Sequence, residues 1–141
     1  MGIKIITDSA CDLTRDYIKN NNIGLLSLIL NLNGQAIKDD LGETLSYKDF
    51  YNKMREGATP TTSQINAHEF EEEFIKYIKN GESIIYISLS SSLSGTLNSA
   101  NIAKNNLMNE YPNANIYLVD SLSVSVGQGL LVAKACEMRD S

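Results

Sequence analysis

The sequence contains no tryptophan and only two prolines, two cysteines and one histidine among its 141 residues. Cys11 and Cys136 are far apart and form no C-x-x-C pair, so we expect buried free thiols, with neither a disulfide framework nor a cysteine metal site. His68 has no second histidine at metal-ligand spacing and is expected on the surface near a helix start. A serine hydrolase would lack its histidine base.

Positive charge is also scarce, because 12 Lys and Arg residues face 17 Asp and Glu residues, for a net charge of −5. An acidic chain without a Lys/Arg cluster repels a phosphate backbone, so nucleic acid is not an expected partner. No apolar run is long enough for a signal-peptide core or a spanning helix. We therefore expect a cytoplasmic protein, and only a peripheral or transient membrane contact stays open.

The sequence does contain an ordered alternation of short β-branched runs and amphipathic segments. Its length and its hydrophobic content of 43% suit one globular domain. Strands are predicted over residues 3–7, 25–32, 83–89 and 115–119, and helices near Asp12, after Ser46 and Asn66, and over 97–111 and 126–138. Asn33-Gly34 predicts a hairpin, and residues 58–65 a loop. The predicted fold is three-layer α/β/α, with a mainly parallel sheet and a small antiparallel hairpin.

Polar segments follow several of the predicted strands directly. Asp8-Ser9, the run 90–96 and Asp120-Ser121 each come at a strand end. Parallel sheets bind ligands at the carboxyl ends of their strands, so these three loops are expected to converge on one edge. Asp8 and Asp120 have two possible roles, since each could orient a neighbouring hydroxyl or cap the next helix.

The strongest local signal is the run of residues 88–96, which reads S-L-S-S-S-L-S-G-T. It leads from a strand into a helix, so its hydroxyls and the first N–H groups of the helix can face one spot. Gly95 has no Cβ and would let a ligand approach the backbone. The run is typical of a carboxylate or phosphate site, and the alternative is that its serines only cap the helix. Thr61, Thr62 and Ser63 form a second, weaker group of hydroxyls in the predicted loop.

Common enzyme motifs are missing from the sequence. No serine lies in G-x-S-x-G, and there is no phosphate-binding G-x-x-x-x-G-K-[ST] loop. Gly127-Gln128-Gly129 matches only the first half of a dinucleotide fingerprint, so close helix packing is the favoured explanation. These gaps favour a binding protein that needs no cofactor and no metal.

Four short motifs in order resemble the DegV family of bacterial fatty-acid-binding proteins. They are T-D-S at 7–9, T-S-Q at 62–64, L-S-G-T at 93–96 and D-S at 120–121. The resemblance extends over nearly the whole chain and implies a DegV-type N-terminal domain over residues 1–141.

The resemblance also implies a ligand site. The hydroxyls of Thr62 and Ser94 would hold the carboxylate of a long-chain fatty acid such as palmitate or stearate. Supporting positions are Thr61, Ser63, Gly95, Asp8, Ser9, Asp120 and Ser121.

By the same resemblance the protein is a lipid carrier and not an enzyme. It would present its fatty acid to a separate fatty acid kinase subunit, which uses ATP. The family's second domain is expected to be absent from this sequence, so weaker binding is expected of this half. Two alternatives stay open: an enzyme or binding module that acts on a small anionic metabolite through the serine run, and a folded half that serves only for association.

Overall fold

The computed structural model describes residues 2–141, in which strands alternate with helices except for three consecutive strands between the first two α-helices. The strands are β1 Ile3–Asp8, β2 Gly24–Leu26, β3 Ile29–Leu32, β4 Gln35–Lys38, β5 Thr61–Ser63, β6 Ser83–Ser88 and β7 Ile116–Asp120. The helices are α1 Arg15–Asn20, α2 Tyr47–Arg55, α3 Ala67–Ile78, α4 Thr96–Glu110 and α5 Val126–Asp140, with a short 3-10 turn at Ser9–Cys11.

Four strands form a parallel sheet in the order β2-β1-β6-β7. Its central strands β1 and β6 are rich in isoleucine, as is typical of strands covered on both faces. The other three strands form a separate antiparallel sheet in the order β4-β3-β5. This arrangement confirms the predicted α/β class with its mainly parallel sheet.

Helices cover both faces of the parallel sheet. On one face α3 and α4 build a core in which the rings of Phe70 and Tyr86 meet edge to face, with centroids 4.9 Å apart. On the other face α1 and α5 contribute to a second core, made of Ile5, Cys11, Ile18, Ile23, Leu41, Ile87, Val132 and Cys136. The three-layer prediction is thereby confirmed.

Local sequence signals place the hairpin and two helix starts where they were predicted. Asn33 and Gly34 have φ of 50° and 79°, the left-handed values that a two-residue hairpin turn requires. Asn66 and Glu69 form a reciprocal capping box at α3, and Ser46 caps α2.

Besides shifts of one or two residues at several element ends, the structure differs from the sequence prediction at three places. Thr14 caps α1 in place of Asp12, because Asp12 has a left-handed φ of 51° and ends the preceding 3-10 turn. The strand predicted over 25–32 is two strands, since the chain bends between β2 and β3 from one sheet to the other. The loop predicted over 58–65 contains β5, whose β-branched threonines suit an extended edge strand.

Both cysteines and the histidine lie where they were predicted. Cys11 and Cys136 are buried and free, and burial raises the pKa of the Cys11 thiol to about 11. The His68 side chain is 77% exposed. Over residues 2–141, no helix has the length and apolar character to cross a membrane, and no cluster of three or more His, Cys, Asp or Glu residues could hold a metal.

Candidate functional site

Three loops meet at the carboxyl edge of the parallel sheet, as the sequence predicted. They are the 3-10 turn after β1, the serine loop (residues 89–95) after β6, and the loop over residues 121–125 after β7. The Ser90 N–H donates to the Ser123 carbonyl at 2.8 Å, and the Ser125 N–H donates to the Ala10 carbonyl at 2.8 Å. Backbone hydrogen bonds therefore connect the three loops to one another.

Asp8 holds two of these loops from inside the fold. It is fully buried, and its Oδ2 accepts the Tyr86 hydroxyl at 2.7 Å and the Leu89 N–H at 3.0 Å. Its Oδ1 accepts the Ala10 N–H at 3.1 Å and Gln128 Nε2 at 3.0 Å. Burial, and then the charge of Asp8, raise the pKa of Tyr86 well above its ordinary value. Asp8 thus caps the 3-10 turn and orders the base of the serine loop, but a ligand cannot reach it.

Asp120 orders the serine loop from the side of β7. Its carboxylate accepts the Ser91 hydroxyl at 2.5 Å, the Ser91 N–H at 3.2 Å and the Leu122 N–H at 3.0 Å. These bonds, with the Ser91 hydroxyl first, lower the pKa of Asp120. Of the two roles considered for Asp120, orientation of a neighbouring hydroxyl is the one its contacts fit.

The hydroxyls of Ser9 and Ser121 are used within the fold. Ser9 Oγ accepts the Leu28 N–H at 3.0 Å and pins the bend between the two sheets. Ser121 Oγ donates to the Ser123 carbonyl at 3.0 Å and accepts the Ser123 N–H at 3.2 Å. Both serines are nearly inaccessible, so they support the loops from inside.

Ser94 ends the serine loop at the start of α4. Gly95 is the N-cap residue, and no side chain caps the helix at that position. Ser94 Oγ accepts the Thr96 N–H at 3.2 Å and lies 2.8 Å from the buried Thr96 hydroxyl. When Thr96 donates in this pair, the proton of Ser94 is free for an outside acceptor. The hydrogen bond from the Thr96 N–H therefore uses only part of the hydrogen-bonding capacity of the Ser94 hydroxyl.

Thr62 lies on the edge strand β5, opposite Leu30 of β3. With Ile37, Phe50 and Tyr51 it lines a cavity of about 210 Å³ between the antiparallel sheet and α2. Thr62 thus borders a mainly apolar cavity whose lining also includes Lys38, Asp39 and Asp40.

Thr61 and Ser63 do not share this face of the strand. Side chains alternate along a strand, so they point away from the face of Thr62. Ser63 Oγ accepts Asn31 Nδ2 at 2.8 Å on that side. A ligand held by Thr62 consequently meets only one of the three hydroxyls of β5.

The side chain of Gln64 joins the β5 segment to the serine loop and α4. Its Nε2 donates to Ser99 Oγ at 3.2 Å. Its amide lies so close to Gly95 that a Cβ there would be 2.2 Å from Gln64 Oε1. The two hydroxyl-bearing segments therefore approach each other at the start of α4. Gln64 and Thr96 were not among the site residues predicted from the sequence, although they lie in the motifs T-S-Q and L-S-G-T.

Apolar side chains are exposed in the loops at the carboxyl edge of the parallel sheet. Leu93 in the serine loop is 65% exposed, and Leu122 in the next loop is 79% exposed. Leu122 also has a left-handed φ of 51°, which is unfavourable for a leucine. Val126 and Leu130 extend the exposed apolar character into α5. These side chains give the loops and the start of α5 exposed apolar surface.

The family model described as "Uncharacterised protein, DegV family" matches residues 2–141. The chain belongs to the DegV family. It is 46% identical over 135 residues to a DegV domain-containing protein from Clostridium perfringens. The aligned residues make up 96% of this chain and 46% of the relative. The chain thus spans about half the length of the DegV relatives that it matches.

Solved structures resemble this DegV chain over nearly its whole length. A stearic acid-binding protein from Eubacterium ventriosum has a TM-score of 0.90 at 28% identity, over 99% of this chain and 48% of the other. The fatty acid kinase B3 protein from Streptococcus pneumoniae, loaded with linoleic acid, has a TM-score of 0.80 at 25% identity, over 99% and 49%. Fatty acid binding is therefore found among proteins that share this DegV fold.

Proposed function

We propose that this chain binds a long-chain fatty acid and holds its carboxylate with the hydroxyls of Thr62 and Ser94. The main support is the approach of two hydroxyl-bearing segments at the start of α4, where Gln64 meets Gly95. Neutral donors beside the N–H groups of a helix N-terminus suit a carboxylate, because the helix dipole also favours negative charge there.

The acyl chain would contribute most of the affinity. Burial of about fourteen methylenes at ~0.8 kcal/mol each is worth roughly 10 kcal/mol before the costs of association. Leu93, which directly precedes Ser94, and Leu122 in the neighbouring loop are exposed and available for part of that burial. The headgroup must still be satisfied, since an unpaired carboxylate removed from water costs several kcal/mol.

We infer that the chain acts as a carrier and presents the fatty acid to a separate kinase subunit. Over residues 2–141, the hydrogen-bonding partners of the Ser94 hydroxyl are the hydroxyl and N–H of Thr96, and neither can act as a general base. A nucleophilic serine needs such a base. The likeness to the fatty acid kinase B3 protein supports the same conclusion.

Titration of the purified chain with a fluorescent fatty acid tests this function. We expect saturable binding that unlabelled palmitate or stearate displaces, because both carry the carboxylate and the long acyl chain. Small phosphorylated or carboxylated metabolites should not displace the probe. Displacement by such a metabolite would favour the metabolite-binding alternative, and the absence of saturable fatty acid binding would refute the proposal.

Loss of either hydroxyl should weaken binding of the carboxylate. Ser94→Ala and Thr62→Val are each expected to lower fatty acid affinity by about 1.5 to 3 kcal/mol, roughly tenfold to a hundredfold, because each removes a hydrogen bond to a charged group. Calorimetry measures the change. Ser92→Ala is the matched control, since Ser92 is exposed in the same loop. Affinities equal to those of the wild type in both variants would leave only a structural role for these hydroxyls.

The hydroxyl of Thr96 should act through Ser94. A bound carboxylate can only accept hydrogen bonds, so Ser94 must donate to it and Thr96 must donate to Ser94. Thr96→Val is therefore expected to lower fatty acid affinity about fivefold, close to the value of one hydrogen bond. Thr96→Ser keeps the hydroxyl and should keep most of the affinity. An equal loss in both variants would point to packing instead.

A further inference from the structure

The two proposed carboxylate-binding hydroxyls belong to different sheets. Thr62 is on β5 of the antiparallel sheet, whereas Ser94 follows β6 of the parallel sheet. In the part of the chain that the structure describes, the Gln64–Ser99 hydrogen bond is the side-chain hydrogen bond that connects residues 61–64 to the serine loop and α4. The spacing between the two hydroxyls thus depends on a small number of contacts.

The amide of Gln64 fits against the first turn of α4 at two points. Its Nε2 bonds to Ser99 Oγ, and its Oε1 occupies the space that a side chain at position 95 would fill. Glycine at the N-cap of α4 is therefore what allows the amide to come this close. This position fits a glutamine, because a shorter or branched side chain could not reach both Ser99 and Gly95.

Folding stability alone is a weak explanation for the contact of Gln64 with Ser99 and Gly95. Ile65, the next residue, is fully buried and already anchors the segment in the core. Gln64 is exposed, and a single hydrogen bond from an exposed side chain adds little to folding. The contact does, however, determine how closely β5 approaches the serine loop.

We infer that Gln64 is a positioning residue, which sets the spacing between Thr62 and Ser94 so that both hydroxyls reach one carboxylate. This inference rests on the proposed fatty acid function. A carboxylate needs two donors at a defined separation, whereas the hydroxyl of a fatty alcohol can be satisfied by one partner. Gln64 therefore contributes to the preference for an acid over an alcohol of the same length.

The test compares palmitate with hexadecanol on the purified chain, by displacement of a fluorescent fatty acid. Gln64→Ala is expected to lower palmitate affinity about fivefold, close to the loss of one hydrogen bond, and to change hexadecanol affinity less than twofold. Gln64→Met fills the space beside Gly95 but cannot donate a hydrogen bond to Ser99. It should show the same selective loss of palmitate affinity. Asn106→Ala, which removes another side-chain bond to α4, from Asn106 to Glu71, is the control and should change neither affinity.

Gly95→Ala approaches the same contact from the opposite side. Its Cβ would displace the Gln64 amide, so this variant should show the same selective loss of palmitate affinity. The double variant Gln64→Ala/Gly95→Ala should lose no more than the worse single variant, because both changes break one contact.

Three results would count against the inference. Equal losses for palmitate and hexadecanol would indicate a general structural role, and an unchanged ratio in Gln64→Ala would remove the positioning role. Additive losses in the double variant would show that the two residues act separately. In all three cases the wild type still binds palmitate, whereas a wild type that fails to bind it overturns the proposed function itself.

Discussion

Replacement of Asp8 by alanine is expected to destabilise the protein by about 3 to 5 kcal/mol, a large part of the stability of a small domain. The carboxylate is fully buried and accepts from four donors. Its removal would leave buried donors such as the Tyr86 hydroxyl unsatisfied, and each unpaired group costs about 1 to 3 kcal/mol. Denaturant unfolding followed by circular dichroism measures the loss.

Asp120→Ala is the matched control for this experiment. Asp120 also accepts hydrogen bonds from the serine loop, but its bonds to Ser91 are at the exposed surface, where water can replace the lost acceptor. We expect a cost below about 1 kcal/mol. Similar costs for Asp8→Ala and Asp120→Ala would contradict the anchoring role of Asp8.

Gly129→Ala is expected to cost about 2 kcal/mol of folding free energy, in spite of the better helix propensity of alanine. A Cβ at this position would lie 2.5 Å from the carbonyl oxygen of Cys11 and 3.3 Å from the Leu13 side chain. A backbone carbonyl cannot rotate away as a side chain can. Helix α5 would therefore have to move off the 3-10 turn, and thermal unfolding measures the effect.

Gly127→Ala separates this packing effect from helix propensity. Its Cβ would meet Ser123 Oγ, a hydroxyl that can turn to another rotamer. We expect a change within about 1 kcal/mol, since the gain in helix propensity offsets the small adjustment. Equal destabilisation by the two substitutions would show that the close approach at Gly129 is not decisive. The sequence-based interpretation of this pair as helix packing is confirmed for Gly129 by its contact with Cys11.

Much of the fold was predictable because its signals are local. The left-handed Asn33-Gly34 turn and the capping box of Asn66 with Glu69 each depend on residues that are adjacent or three apart. Strand β5 was missed because it is three residues long, polar and at a sheet edge, so that it has neither an apolar run nor a clear alternation. Its strand character arises from pairing with β3, which is a tertiary contact.

The convergence of three loops on one sheet edge was predictable from the sequence, whereas the contacts of their side chains were less so. Parallel topology alone implies that loops after β1, β6 and β7 converge. Which hydroxyls point outward could not be predicted, since Ser9 and Ser121 are satisfied inside the fold by Leu28 and Ser123. The role of Gln64 depends on Ser99, which lies 35 residues away in the sequence.

The order of strands in the parallel sheet has a consequence for how the chain folds during synthesis. Strand β1 pairs with β6. The hydrogen bond from Thr7 to Ile87 therefore cannot form until the ribosome has added 80 further residues. The β3–β4 hairpin is local and can form early, whereas the central pair carries a large loop-closure entropy. Until β6 leaves the ribosome, Asp8 lacks the Tyr86 and Leu89 donors that hold it. The carboxyl edge of the sheet is therefore expected to form late, after β6 has been synthesised.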